Sequence, residues 1–169
     1  LALLDATCTV CCREKASYDY VRKFSPRAEV LQAHDMAFHC DVERIFQNAA
    51  IEKAGESVLV KILATAGLSL ARIGELPSVD FLRTDQESTV RWPQTDADIS
   101  KLFAFGVTPS KAIAAVWCLL KVIRAARHIN TDRLHVAIGC ALTGTPCTLR
   151  DNSYGKNGQV FDHSLREFH

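Results

Sequence analysis

Short hydrophobic runs alternate along the chain with segments of helical periodicity. Thr7 to Cys12 is a β-prone run, and Glu14 to Phe24 follows with apolar side chains at helical spacing. Pro26 ends this segment, and Ala28 to Ala33 is a second candidate strand. Asp35 to Phe46 predicts a turn and a partly helical stretch. The chain is therefore expected to open with a strand, a helix and a second strand.

The middle of the chain carries two further apolar, partly β-branched runs. Val58 to Ala64 and Val79 to Leu82 are each bounded by Gly, Pro, Ser or Asp, and both are predicted to be strands. Ala66 to Gly74 favours no particular state. Glu87 to Asp98 predicts an irregular loop.

The clearest helix is predicted over Ser110 to Ala126. Thr108 can cap it and Pro109 suits its first turn. Six apolar residues are expected on its buried side: Ile113, Val116, Trp117, Leu120, Val122 and Ile123.

A second helix is predicted over Asp132 to Leu142, where Gly144 and Pro146 follow as stop signals. Pro146 to Leu149 is then a short strand that leads into a polar loop. This alternation of strands and helices predicts an α/β fold with a Rossmann-like, doubly wound and mostly parallel sheet. At 169 residues, one domain over 1–169 is expected.

Composition and charge exclude several classes of protein. The hydrophobic content of 48% and the charged content of 23% are those of a globular domain rather than a disordered one. A net charge of +1 argues against a nucleic-acid partner. Ala112 to Ile123, the longest apolar stretch, is too short to span a membrane, and no secretion leader is recognisable, so a cytoplasmic location is expected.

Seven cysteines, several of them in apolar segments, suit reduced thiols better than a disulfide framework. Cys8 and Cys11 have the spacing of a metal-binding pair. No second pair follows at zinc-finger distance, so no metal site is predicted.

Four polar clusters lie after predicted strands or at a predicted helix start, which is where ligands bind in open α/β sheets. They are Arg13, Glu14 and Ser17; Arg83, Thr84 and Asp85; Thr131, Asp132, Arg133 and His135; and Asp151 to Asn157. In the third cluster, Thr131 or Asp132 can cap a helix whose first turn holds Arg133 and His135. A guanidinium can grip a carboxylate or phosphate, and an imidazole titrates near neutrality, so an anion site is one interpretation. The other interpretation of this cluster is an ordinary helix cap whose side chains are solvated. For the fourth cluster, the alternative to an anion site is a surface turn.

The joint pattern resembles a known family. Thr131 to Gly144 (TDRLHVAIGCALTG), with Asp151 to Asn157 (DNSYGKN) after it, resembles the C-terminal signature of polysaccharide pyruvyl transferases. Weaker landmarks lie upstream of this signature, in the same order as in the family: Arg13 to Tyr20 (REKASYDY), Asp35 to Phe38 (DMAF), Arg83 to Ser88 (RTDQES) and Asp98 to Ser100 (DIS). The landmarks together cover nearly the whole chain. His34 departs from the family, because proline commonly precedes that aspartate.

The resemblance implies the C-terminal domain of an enzyme similar to the two-Rossmann-domain, GT-B-like glycosyltransferases. Such bacterial enzymes transfer the enolpyruvyl group of phosphoenolpyruvate onto two sugar hydroxyls, forming a pyruvate ketal in exopolysaccharide biosynthesis. His135 would be the general acid. The substrate-binding residues would be Arg13, Ser17, Arg133, Leu134, Asn152, Ser153, Tyr154 and Lys156. No metal or cofactor is expected, because the basic side chains can neutralise the donor.

The implied partners are phosphoenolpyruvate as donor and a sugar or polysaccharide precursor as acceptor. Nothing in the sequence corresponds to the N-terminal half of the family enzymes, so we expect the chain to begin partway through such an enzyme, and whether it is active alone is an open question. An apolar face left by that half would favour a homodimer. The alternative function is a non-catalytic anion- or sugar-binding α/β module, a truncated remnant that would keep phosphoenolpyruvate binding in His135→Ala and form no ketal.

Overall fold

The structure is a computed structural model that describes residues 4–89, 94–153 and 155–168, without the side chains of residues 167 and 168. Strands and helices alternate along these residues. The strands are β1 (Thr9–Cys12), β2 (Glu29–Gln32), β3 (Val79–Phe81), β4 (Ile129–Thr131) and β5 (Cys147–Leu149). The α-helices are α1 (Lys15–Phe24), α2 (Val42–Phe46), α3 (Ala49–Thr65), α4 (Leu70–Glu75), α5 (Ile99–Leu102), α6 (Pro109–Ala125), α7 (Leu134–Thr143) and α8 (Lys156–His163). Short 3-10 helices cover Met36–His39 and Leu165–Phe168.

All strand pairs in the described residues are parallel. β1 pairs with β2, with Thr9 opposite Glu29. β4 lies between β3 and β5, with Ile129 opposite both Val79 and Cys147. The α/β class and the parallel pairing are thus confirmed. The strands form two small sheets rather than the one doubly wound sheet that the sequence predicts.

The main core lies between the β3–β4–β5 sheet and the helices α3, α4, α6 and α7. Trp117 at the centre of α6 is fully buried, and Phe81 of β3 is almost so. α3 approaches α6 closely at Gly55, whose missing side chain leaves room for the indole ring of Trp117. By contrast, α1 has no buried residue, so the β1–α1–β2 unit contributes little to this core.

The predicted strand over Val58 to Ala64 is wrong, because these residues lie within the 17-residue helix α3. The Asn48 side chain caps α3 by accepting the N–H groups of Ala50 and Ile51. Leu59 and Leu63, one helical turn apart, are each 2% exposed. Packing of this stripe against α6 outweighs the β preference of the valines.

The prediction for α6 is confirmed in its extent and in Pro109 at its start. Its buried side is narrower than predicted, because the side chains of Ile113 and Val116 are 44% and 38% exposed. The segment over Ala66 to Gly74, for which the sequence favoured no state, contains most of α4, whose N-cap Ser69 accepts the N–H of Arg72.

The start of α7 differs from the prediction. The helix begins at Leu134 with Arg133 as its N-cap residue, and no side chain caps it. The Thr131 hydroxyl accepts the N–H of Arg133, whereas the Asp132 carboxylate accepts the N–H of Arg83 from the neighbouring loop. Asp132 therefore joins the ends of β3 and β4 instead of capping the helix. Gly144 ends α7 in the left-handed conformation, as predicted.

No described helix is long and apolar enough to cross a membrane.

Gly55→Ala is expected to destabilise the fold. In an open helix this change stabilises by about 0.5–1 kcal/mol, but here the new Cβ would lie 2.2 Å from Cε3 of Trp117. Displacing the buried indole should lower the free energy of unfolding by roughly 1–3 kcal/mol, measured by urea denaturation. Val60→Ala on the exposed face of α3 is the control and should change it by no more than about 0.5 kcal/mol. A more stable Gly55→Ala variant would contradict this packing.

Candidate functional site

A basic pocket lies where the loops after β1, β3, β4 and β5 meet. Its volume is about 170 Å³. The described residues that line it are Arg13, Arg83, Glu87, Ser100, Arg133, Leu134, His135, Asn152, Lys156 and Asn157. Because the carboxyl ends of parallel strands share one edge, the segment after β1 brings Arg13 to this place and the segments after β3, β4 and β5 bring three side chains each.

The structure gathers most of the residues predicted from the sequence. Arg13, Arg133, Leu134, His135, Asn152 and Lys156 all line the basic pocket. Ser17 lines a second cavity beside it, named here the Cys11 pocket, and Arg13 lines both. Ser153 is exposed and lines neither cavity among the described residues, while its N–H donates to the carbonyl of Glu87. Tyr154 lies outside the described residues.

Arg133 is held by two carboxylates. Its Nη2 lies 2.8 and 2.7 Å from the two oxygens of Asp98 and 3.0 Å from Oδ2 of Asp85. The Asp98 side chain is only 5% exposed and also accepts the N–H of Thr84. Burial acts to raise the pKa of Asp98, but the bonds from Arg133 and Thr84 outweigh it and leave that pKa below its ordinary value.

Arg83 was not among the predicted binding residues, although it belongs to one of the family landmarks. Its Nε donates to Asp85 at 2.7 Å, and its Nη2 lies 2.6 Å from Glu87. Asp85 therefore bridges Arg83 and Arg133. Two guanidinium groups can lie side by side here because three carboxylates, Asp85, Glu87 and Asp98, balance them.

Asp35 connects Arg13 with His135. Its Oδ2 accepts Nη1 of Arg13 and lies 3.6 Å from Nε2 of His135, and its Oδ1 accepts the N–H of Ala37. Burial acts to raise its pKa, but these donors and charges outweigh the burial and lower it. Asp35 is thus an anion that positions Arg13 and faces His135. The DMAF landmark is the sequence signal for it.

Two sets of donors at the pocket are unoccupied. The backbone N–H groups of Leu134 and His135, at the start of α7, have no acceptor among the described residues. The Lys156 ammonium group has no ion-pair partner there either. The His135 side chain is 61% exposed. An anion entering the pocket would therefore meet amides, an ammonium group and an accessible imidazole.

The loop that holds Lys156 is fixed mainly by its own side chains. Oδ1 of Asn152, which is buried, accepts the N–H of Lys156. Asn157 donates from Nδ2 to the carbonyls of Asp132 and Arg150, which ties α8 to the end of β4. Asn152 and Asn157 thus act here as supports for the pocket wall. Asn157 was missed as an individual residue because asparagines in a polar loop look like turn formers.

Asp98→Asn is expected to weaken the fold in a pH-dependent way. Arg133 would lose its closest anion, so the free energy of unfolding at pH 7 should fall by roughly 3 kcal/mol, measured by urea denaturation. Because the folded pKa of Asp98 is lowered, its contribution is complete above the unfolded pKa of about 3.9 and disappears as the pH falls through the folded value. The difference between variant and wild type should therefore shrink below about pH 4.

Asp162→Asn is the matched control, because Asp162 forms an exposed pair with Arg166 at 2.6 Å. It should cost at most about 1 kcal/mol. If the two variants lose the same free energy of unfolding, the Asp98–Arg133 pair stabilises the fold no more than an exposed ion pair does.

The fold has a solved counterpart. It is similar to an uncharacterized protein, KP1_0663, from Klebsiella pneumoniae subsp. pneumoniae NTUH-K2044, with a TM-score of 0.57 and 23% sequence identity. The match covers 92% of this chain and 50% of that one, so the chain spans half the length of the solved protein. At this identity the likeness shows the fold alone.

No curated protein matches the sequence. The family model described as polysaccharide pyruvyl transferase matches residues 2–154, which is most of the chain. That range includes the loops after all five strands and nearly all the residues that line the basic pocket. The chain therefore belongs to the polysaccharide pyruvyl transferase family.

Proposed function

We propose that the basic pocket binds phosphoenolpyruvate and that His135 catalyses transfer of its enolpyruvyl group to a sugar, forming a pyruvate ketal. The observation that carries the proposal is the convergence of Arg13, Lys156 and the accessible His135 at the uncapped start of α7. Phosphoenolpyruvate carries a carboxylate and a phosphate, which need two sets of donors within one small site.

The donors of the pocket fall into two groups that suit the two anionic ends. The amides of Leu134 and His135, which have no acceptor in the described part of the chain, lie at the positive end of the α7 dipole. Lys156 supplies an ammonium group, and Arg13 a guanidinium held by Asp35. Arg83 and Arg133 add positive charge behind the site, although their carboxylate partners reduce it. Leu134 lines the pocket and offers an apolar contact for the donor methylene.

His135 has the position of a general acid. Transfer begins when a proton from the imidazolium adds to the methylene carbon, which becomes the methyl group, and leaves C2 electron-deficient. One sugar hydroxyl attacks C2, the phosphate leaves, and the second hydroxyl closes the ring. Of the two hydroxyl protons, one restores the imidazolium and the other leaves with the phosphate. The Asp35 carboxylate, 3.6 Å from Nε2 of His135, faces the ring that would donate the proton.

A specific observation favours the second candidate, a binding module without transfer. Arg83 and Arg133 are already engaged by three carboxylates, so they donate less to a ligand than free guanidinium groups would. Because the chain spans half of the solved protein that it resembles, the acceptor hydroxyls could depend on residues outside it. Binding and transfer therefore have to be measured separately.

Lys156→Ala is expected to weaken phosphoenolpyruvate binding by about tenfold, because one charge-assisted hydrogen bond contributes roughly 1.5 kcal/mol or more. Calorimetric titration would measure the dissociation constant. Lys156 is a better test than Arg133, whose removal would also leave Asp98 unpaired. Lys53→Ala, an exposed lysine of α3 away from the pocket, is the control and should bind as wild type does. Equal affinity in both variants would place the anion elsewhere.

His135→Gln is expected to abolish transfer and keep binding. The amide can still donate a hydrogen bond but cannot deliver the proton, so the rate of ketal formation should fall by about 10²- to 10⁴-fold. The readouts are the methyl signal of the ketal in proton NMR and the release of inorganic phosphate from phosphoenolpyruvate. His128→Gln, on a histidine outside the pocket, is the control. Wild-type protein that binds phosphoenolpyruvate but makes no ketal with any sugar would support the binding module instead.

A further inference from the structure

Two cysteines lie together at the junction of α7 and β5. Cys140 is in the last turn of α7 and is fully buried, and Cys147 is the first residue of β5 and is partly buried. The chain turns back between them at Gly144, and the N–H of Thr145 donates to the carbonyl of Cys140 at 3.0 Å. Both thiols are free, and they are hydrogen-bonded to each other. The fold therefore holds two reduced thiols in contact.

A cavity gives access to one of these two thiols. It has a volume of about 430 Å³ and lies between α7, β5 and α8. Ala137, Cys147, Leu149 and Phe161 form the apolar part of its wall. Cys140 is not among the described residues that line it and has no exposed surface. A small molecule that enters this cavity would therefore reach Cys147 and not Cys140.

The contact makes the two thiols chemically unequal. The hydrogen bond from the Cys140 S–H lowers the pKa of Cys147, although burial acts to raise it. The same hydrogen bond, together with burial, raises the pKa of Cys140. Because the thiolate is the nucleophilic form of cysteine, Cys147 is the residue of the pair that is expected to attack first.

Three other cysteines lack this combination of features. Cys118 is fully buried in α6, its thiol donates to the carbonyl of Gly55 at 3.6 Å, and burial raises its pKa to about 11. Burial also raises the pKa of Cys12 and of Cys40. Such environments favour the unreactive thiol form. Cys147 differs from them in its lowered pKa, its position on a cavity wall and its contact with a second thiol.

We propose that Cys147 is a modification site for small organic disulfides and that Cys140 resolves the adduct, which leaves a Cys140–Cys147 disulfide. The Cys147 thiolate attacks one sulfur of the reagent, the S–S bond of the reagent breaks, and one half leaves and takes up the proton that Cys147 released. The Cys140 sulfur then attacks that of Cys147, and its proton goes to the departing second half. Two cysteines are thus oxidised, and one reagent molecule is reduced to two thiols.

The test is to treat the folded protein at neutral pH with an excess of hydroxyethyl disulfide, a small uncharged reagent. The reaction is quenched with acid, the remaining thiols are alkylated, and the protein is digested with trypsin. Cys140 and Cys147 lie in one tryptic peptide, residues 134–150. In mass spectrometry an internal disulfide removes two hydrogen atoms from this peptide, whereas a retained adduct adds one half of the reagent. Cys118 lies in the separate peptide 112–121 and reports any unfolding.

In the wild type we expect the internal disulfide to form without accumulation of an adduct, at least about tenfold faster than Cys118 is modified. In Cys140→Ser the adduct should remain on Cys147, because no thiol resolves it. In Cys147→Ser the peptide should react at least about tenfold more slowly than in the wild type. Cys140→Ala and Cys147→Ala are second variants, in case a serine hydroxyl disturbs the core.

Three results would overturn the inference: a wild-type peptide that keeps the adduct, modification of Cys147 that is no faster than that of Cys118, or a peptide that reacts equally fast with and without the Cys147 thiol. If the variants unfold, the first two results still decide the question in the wild type. Neither phosphoenolpyruvate nor His135 takes part in this chemistry, so the inference can hold or fail independently of the proposed function.

Discussion

The arrangement of the site depends on carboxylates that hold arginines together. Arg83 and Arg133 follow the adjacent strands β3 and β4. Two neighbouring guanidinium groups without anions between them would repel each other. Asp85 lies between them, and Asp98 and Glu87 engage their outer sides. The anions supply part of the charge balance that a bound substrate would otherwise have to supply, so the pocket can form before the ligand arrives. The same carboxylates also weaken the electrostatic attraction between these arginines and an anionic ligand.

Around this network, the unoccupied donors mark where a substrate could bind. The amides at the start of α7 are uncapped because Asp132, which the sequence suggested as a cap, turns instead to the loop after β3. Lys156 has no ion-pair partner among the described residues, and Asn152 and Asn157 supply the hydrogen bonds that hold its loop. Asp35 links Arg13 with His135, and through Arg13 it links the basic pocket with the Cys11 pocket. One carboxylate thus contacts both an arginine of the proposed donor site and the histidine proposed to transfer the proton.

Local signals predicted those elements in which propensity and packing agree. Pro109 and the apolar run behind it predicted α6, and Gly144 predicted the end of α7, because a proline at the first turn and a left-handed glycine act through the local backbone alone. The valines in Val58 to Ala64 prefer extended backbone and so predict a strand there. Asn48 as a cap and the buried stripe of Gly55, Leu59 and Leu63 favour a helix instead. The stripe stabilises the helix because it packs against α6.

By itself the sequence determined the α/β class, four of the five described strands and the loops that carry the polar residues, because these follow from periodicity, stop signals and strand ends. It also carried the motifs of the family in order. It did not indicate β4, the central strand of the β3–β4–β5 sheet. The tertiary structure decided how the strands divide into two sheets, which carboxylate faces which arginine, and that Ser17 and Arg133 belong to different cavities. Such pairings join residues tens of positions apart, as with Asp98 and Arg133, and depend on how the loops approach each other in space.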